Sequence, residues 1–136
     1  VRNIVRGSQD PDACNPAELI ALVRAGLPVS ELDALQNVLD IPIEKLAPKL
    51  GISKATLHRR KGAGQLGPDE SDRVVRFARL MAAAIHVFES EKAARAWMSS
   101  PQLGLGGETP LDYADTELGA QEVQLLLGRI DHSVYS

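Results

Sequence analysis

Between residues 68 and 88 the apolar residues Val74, Phe77, Ala78, Met81, Ile85 and Phe88 recur at intervals of three and four. That spacing puts them on one face of a single long helix, and Pro68 suits its first position. Such a helix must bury its apolar face, so it is predicted to be the central element of the core. No segment shows the strict alternation of a half-buried strand, and no internal repeat is visible. Aromatic residues make up 4% of the 136 residues against 44% hydrophobic, so Leu, Val, Ile and Ala fill the interior. The expected fold class is all-α, a multi-helix bundle.

The flanking segments carry helix punctuation. Residues 1–14 have no period and read as a loose arm. Asn15 and Pro16 open a helix with Leu19, Ile20 and Val23 as its stripe, and Gly26 closes it. Ser30 with Asp33 resembles a capping box ahead of Leu32, Leu35, Val38 and Leu39, and Pro42 breaks that helix. Two short helices are expected over 43–50 and 53–61, with Gly51 between them. Gly62, Gly64 and Gly67 read as a flexible link to the long helix. Beyond it, Ser90 caps a helix with Ala93, Ala94, Trp97 and Met98, which Pro101 ends. Thr109 and Pro110 start another, and Thr116 caps a last helix lined by Val123, Leu126, Leu127 and Ile130. Residues 131–136 form the tail. The intervening LGLGGETP lacks both the lysine of a P-loop and a preceding strand, so it reads as a helix-to-helix turn. Trp97 is expected in the core and His86 at its edge.

The stretch IEKLAPKLGISKATLHRR has the layout of a helix-turn-helix. Ala47 is small where the helices cross, Gly51 tolerates the left-handed turn, and Leu46, Leu50, Ile52 and Leu57 anchor both helices. Ser53 caps the second helix, whose first turn would enter the major groove. Ser53, Lys54, Thr56, His58, Arg59, Arg60 and Lys61 are the candidate DNA-binding residues: Lys and Arg reach guanine edges, and Thr reaches phosphate or a thymine methyl. Charge agrees. Residues 45–61 hold Lys45, Lys49, Lys54, Arg59, Arg60 and Lys61 with no acidic residue, although the whole chain carries a net charge of −3. The competing reading is a helical hairpin with a solvated basic face. Pro48 is discordant inside the first helix; its penalty largely vanishes if that helix starts near Glu44 or Lys45.

Residues 108–136 have the opposite charge, with Glu108, Asp112, Asp115, Glu117, Glu122 and Asp131 against Arg129 alone. A basic middle and an acidic end suggest two partners of opposite electrostatic character. Val134 and Tyr135 are apolar or amphipathic where a solvated tail is usually polar, so Tyr135 either fills a partner's pocket or packs back on its own helix. Nothing suggests an enzyme, a metal or another cofactor. His58, His86 and His132 lie in different segments without ligand-type spacing, and no nucleophile elbow is present. The single cysteine, Cys14, the lack of a bilayer-length apolar run and the lack of a signal-peptide pattern lead to the expectation of a cytoplasmic protein with no membrane association.

A family resemblance sharpens this reading. Val87-Phe88, Ala94, Trp97-Met98, Pro101, Leu105-Gly106-Gly107, Pro110-Leu111, Thr116, Gly119-Ala120, Val123, Leu126, Arg129-Ile130-Asp131-His132 and Val134-Tyr135 resemble, in order and spacing, the toxin-binding domain of the MbcA/ParS/Xre antitoxins. The upstream helices resemble the Xre-like portion of the same family. The chain departs from the pattern at Pro48, at Met98 where Leu is usual, and at Ser133 where Gly is frequent. The resemblance implies a helix-turn-helix region over 15–67 and a toxin-binding, dimerising domain over 68–136. It implies three partners: a NAD-depleting RES-domain toxin, operator DNA and a second copy of the chain in a homodimer. The segment that blocks the toxin's active site would be Arg129, Asp131, His132, Ser133, Val134, Tyr135 and Ser136. Two other functions compete with this one. They are a plain helix-turn-helix transcriptional regulator, and a protein-binding module whose helix-turn-helix no longer reads DNA.

Overall fold

The computed structural model describes residues 15–135, with side chains as far as His132. The expected arm over 1–14 lies outside the described residues. Among the described residues eight α-helices follow one another: α1 (Pro16–Ala25), α2 (Ser30–Leu39), α3 (Ile43–Lys49), α4 (Lys54–Ala63), α5 (Pro68–Phe88), α6 (Glu91–Met98), α7 (Pro110–Tyr113) and α8 (Glu117–Tyr135). A 3-10 turn, Leu103–Leu105, sits between α6 and α7. Among the described residues no strand forms; the one extended feature is an isolated antiparallel bridge between Pro28 and Gln65. The fold is therefore an all-α bundle.

Helix α5 is the axis. It starts with Pro68 behind Gly67, whose N–H donates to the Glu70 carboxylate at 2.9 Å. It ends at Glu89, a left-handed residue at φ 58°. Val74, Phe77, Ala78 and Met81 are fully buried, as their spacing predicts. Val75, Leu80, Ala82 and Ala84 are buried too, so the helix is covered on more than one face. The reason is its set of neighbours: α1, α2, α6 and α8 all pack against it. Ile85 and Phe88 are half-buried, and His86 is exposed rather than at the core edge.

Two local expectations need correction. Ser30 does not cap α2. Val29 is already in the right-handed helical region, the Leu32 N–H donates to its carbonyl at 2.9 Å, and Ser30 becomes the first helical residue. The glycines after α4 are not a loose link. Gly62 lies inside α4, and Gly64 caps it at φ 77°. Residues 64–66 are then clasped to the α1–α2 turn, with Leu66 N–H to Leu27 O at 2.8 Å and Val29 N–H to Gly64 O at 3.1 Å. The Gln65 amide adds bonds to the carbonyls of Ala25 and Gly26. Ser71 completes the clasp from α5: fully buried, it accepts from Leu27 N–H at 2.8 Å and donates to Gly67 O at 2.7 Å.

In the C-terminal half Ser90 caps α6, Thr109 caps α7, and Thr116 accepts from Gly119 N–H at 3.0 Å. Trp97 is half-buried, its ring 5.7 Å from that of Phe88, and Met98 is fully buried beside it in the chain. Helix α8 lays Ala120, Val123 and Leu127 into the core and continues to Tyr135. The predicted tail is thus largely helical, since neither Gly nor Pro follows Gly128 to stop the helix.

Candidate functional site

The helix-turn-helix is built on α3 and α4. Leu46, Ala47, Leu50 and Ile52 are buried, and Leu57 is half-buried against them. Gly51 takes φ 69°, and a β-carbon there would stand 3.0 Å from the Arg73 guanidinium. Arg73 reaches from α5 and donates to the Leu50 carbonyl at 3.1 Å, which fixes the turn to the central helix. Because α3 starts at Ile43, Pro48 lies inside it and not in its first turn. Pro48 has no N–H to offer the Glu44 carbonyl, but α3 ends one residue later, so the proline interrupts little of the helix.

The Ser53 hydroxyl accepts from Thr56 N–H at 3.2 Å and donates to the Thr56 hydroxyl at 3.0 Å, capping α4. Lys54, His58, Arg59 and Lys61 are exposed, and Thr56 is half-buried. Arg60 is placed differently. It is half-buried and donates to the Glu70 carboxylate at 2.8 and 3.4 Å, joining α4 to the start of α5. Burial works to raise the Glu70 pKa, but the Gly67 N–H and the Arg60 guanidinium outweigh it, so the carboxyl titrates below its ordinary range. The outward cationic set on α4 is therefore Lys54, Arg59 and Lys61, while Arg60 serves an internal joint.

A second joint ties the motif to the C-terminal half. Lys49, the last residue of α3, bonds Asp112 of α7. That ammonium holds the Asp112 carboxyl below its usual pKa against the opposing effect of partial burial. Arg95 of α6 is within 3.5 Å of the Val38 carbonyl in α2, and Arg76 of α5 bonds Glu117 at 3.2 Å and the Asp115 carbonyl at 3.3 Å. Sequence reasoning missed these contacts because their partners lie tens of residues apart.

On α8, Arg129 and His132 are exposed and Asp131 is half-buried. Ser133, Val134 and Tyr135 continue the helix; their side chains, and Ser136 altogether, lie outside the described residues. The two sets of candidate residues occupy different elements, α4 and α8. Among the described residues, no group of three or more His, Cys, Asp or Glu is placed to hold a metal ion, and no helix is long and apolar enough to cross a membrane.

A capped second helix with outward cations, a glycine turn and a buried anchor set define a helix-turn-helix protein. Residues 18–79 match the family described as the antitoxin Xre-like helix-turn-helix domain. Residues 83–132 match the antitoxin Xre/MbcA/ParS C-terminal toxin-binding domain. The chain belongs to the Xre family of antitoxins. It is 38% identical over 120 residues to a protein named Antitoxin Xre from Yersinia enterocolitica, covering 87% of this chain and 81% of the relative. A second Antitoxin Xre, from Photorhabdus laumondii, is 38% identical over 128 residues, 93% of this chain and 86% of the relative. A Sphingobium protein named Prs ADP-ribosylating antitoxin is 23% identical over 132 residues, 90% of this chain and 83% of that one.

Proposed function

We propose that this chain neutralises a RES-domain, NAD-depleting toxin by occupying its active site with residues 129–136, and represses its own operon through α4. The observation that carries the reading is α8. It runs without a break to Tyr135, three residues past the stretch matching a toxin-binding domain, with Arg129 and His132 exposed. A helix fixed to the core by Ala120, Val123 and Leu127 offers Arg129, Asp131 and His132 from an element already ordered, which lowers the entropy lost on binding. The acidic C-terminal half complements a cleft that holds the phosphates of a dinucleotide. The Sphingobium relative's name couples an antitoxin with ADP-ribosylation, chemistry that draws on NAD, which suits a toxin of this kind. The chain acts by occupancy, not catalysis, as a cytoplasmic homodimer whose domains divide near residue 67.

DNA recognition follows from Lys54, Arg59 and Lys61, with His58 and the capped N-terminus of α4 directed to the same groove. The test is co-expression with a RES-domain toxin of the same organism, reading growth and cellular NAD. Restored growth and NAD support the proposal. Growth arrest and NAD loss that persist despite equal amounts of both proteins refute it.

A further inference from the structure

Five large apolar side chains are exposed among the described residues: Ile20 and Leu22 on α1, and Leu103, Leu118 and Leu125 in the stretch matching a toxin-binding domain. Leu103 stands out at 98% exposure. A leucine in a loose loop would fold over its neighbours, but this loop is held. Gln102 N–H bonds Glu108 O at 3.0 Å, and Gly107 N–H bonds Gln102 O at 2.9 Å. The Gln102 amide donates to the carbonyls of Trp97 and Ser100 at 3.2 and 3.1 Å. Leu105, two residues on, is buried, and Gly106 and Gly107 supply the positive φ angles that reverse the chain. The turn thus buries one leucine and holds another in water.

The turn also rests on α8. A β-carbon on Gly104 would come within 2.9 Å of Leu126 Cδ1, so the loop backbone lies directly on that helix. Leu118 and Leu125, 71% and 57% exposed, are seven residues apart on α8 and therefore share one face. Arg129 continues the same face toward the C-terminal segment. An exposed leucine held rigidly in a loop that rests on the helix carrying two more is suited to anchor an interface, because little conformational freedom remains to be lost on contact.

We infer that Leu103, Leu118 and Leu125 form a second contact with the toxin, separate from the segment that blocks its active site and seated in an apolar depression on the toxin surface. This rests on the function proposed above. The toxin is the occupant, and not a second copy of the chain, because all three leucines lie within the toxin-binding match and Leu118 and Leu125 share their helix face with Arg129 of the proposed blocking segment. Glu122 lies between Leu118 and Leu125 on this face, so the depression should carry a basic group to meet it.

The experiment measures binding of the purified RES-domain protein to the full chain, to Leu103→Ser and to Leu118→Gln/Leu125→Gln, with sedimentation of each chain alone. These side chains are exposed, so thermal unfolding should not move. The expected result is an increase in Kd of about tenfold for Leu103→Ser and more for the double variant, with self-association unchanged. A chain lacking residues 133–136 should still bind through the leucines while failing to inhibit the toxin. Unchanged Kd values overturn the inference and leave the proposed function standing. A change in self-association alone also overturns it, and assigns the patch to a second copy. Failure of the unmodified chain to bind refutes the proposed function and this inference with it.

Discussion

Replacing Gly119 by alanine puts a methyl group where the packing has no room. An ideal β-carbon at that position would stand 1.8 Å from the Tyr113 carbonyl oxygen, against the 3.0 Å below which real β-carbons essentially never approach. The obstacle is backbone at the end of α7, so no side chain can swing aside. The first turn of α8 must back away by about 1.2 Å, which pulls Ala120 and Val123 from the core they fill. Overpacking of this kind costs roughly 3 to 4 kcal/mol, and the better helix propensity of alanine returns about 1 kcal/mol. The net loss is about 2 to 3 kcal/mol, a fall in Tm of roughly 8 °C for a chain of this length. Gly128, on the same helix, has nothing within 4 Å of its ideal β-carbon. Gly128→Ala gains the propensity alone and should be stabilised by about 0.5 to 1 kcal/mol. Calorimetry or urea unfolding of the two variants therefore gives opposite signs. A Gly119→Ala chain as stable as Gly128→Ala would refute the close approach of α7 and α8.

Other expectations follow from the joints between elements. Ser71→Ala leaves the buried Leu27 N–H without its acceptor and should cost about 1 to 3 kcal/mol in urea unfolding at neutral pH. Glu70→Ala removes the acceptor for Gly67 N–H and Arg60, a loss of about 1 to 2 kcal/mol. Because the folded pKa of Glu70 lies below 4.5, its contribution is complete above that pH and fades as the pH falls through the lower folded value. The gap between wild type and Glu70→Ala should close in acid unfolding curves. Lys54→Ala and Arg59→Ala should each weaken operator binding and reduce its salt slope by about 1, whereas Arg60→Ala should lower Tm through the lost Glu70 joint.

What could be read from the sequence was what local chemistry determines. Asn15, Ser53, Ser90, Thr109 and Thr116 cap within three residues of themselves, so their roles were visible in the chain alone. The spacing of Val74, Phe77, Ala78 and Met81 identified the central helix because burial there follows helical period. Ser30 misled because a cap depends on the backbone of the preceding residue, and Val29 is already helical. The Lys49–Asp112 and Arg60–Glu70 pairs and the Leu27–Ser71 bond depend on tertiary placement, which charge pattern does not encode. For the same reason Arg60 stood with its neighbours as a DNA contact in the sequence, although the fold turns it inward. The glycines of residues 62–67 looked like a linker because glycine count signals flexibility, while Gly62 lies inside α4, the Gly64 carbonyl is bonded to the α1–α2 turn and Gly67 is bonded into the start of α5.

The claim at the centre of this account is that the end of α8 closes the toxin's catalytic cleft. NAD consumption by the purified RES-domain protein, titrated with the full chain and with a chain ending at His132, tests it most directly. The full chain should inhibit stoichiometrically, whereas turnover should continue, despite complex formation, with the shortened one. Equal inhibition by both chains would contradict it.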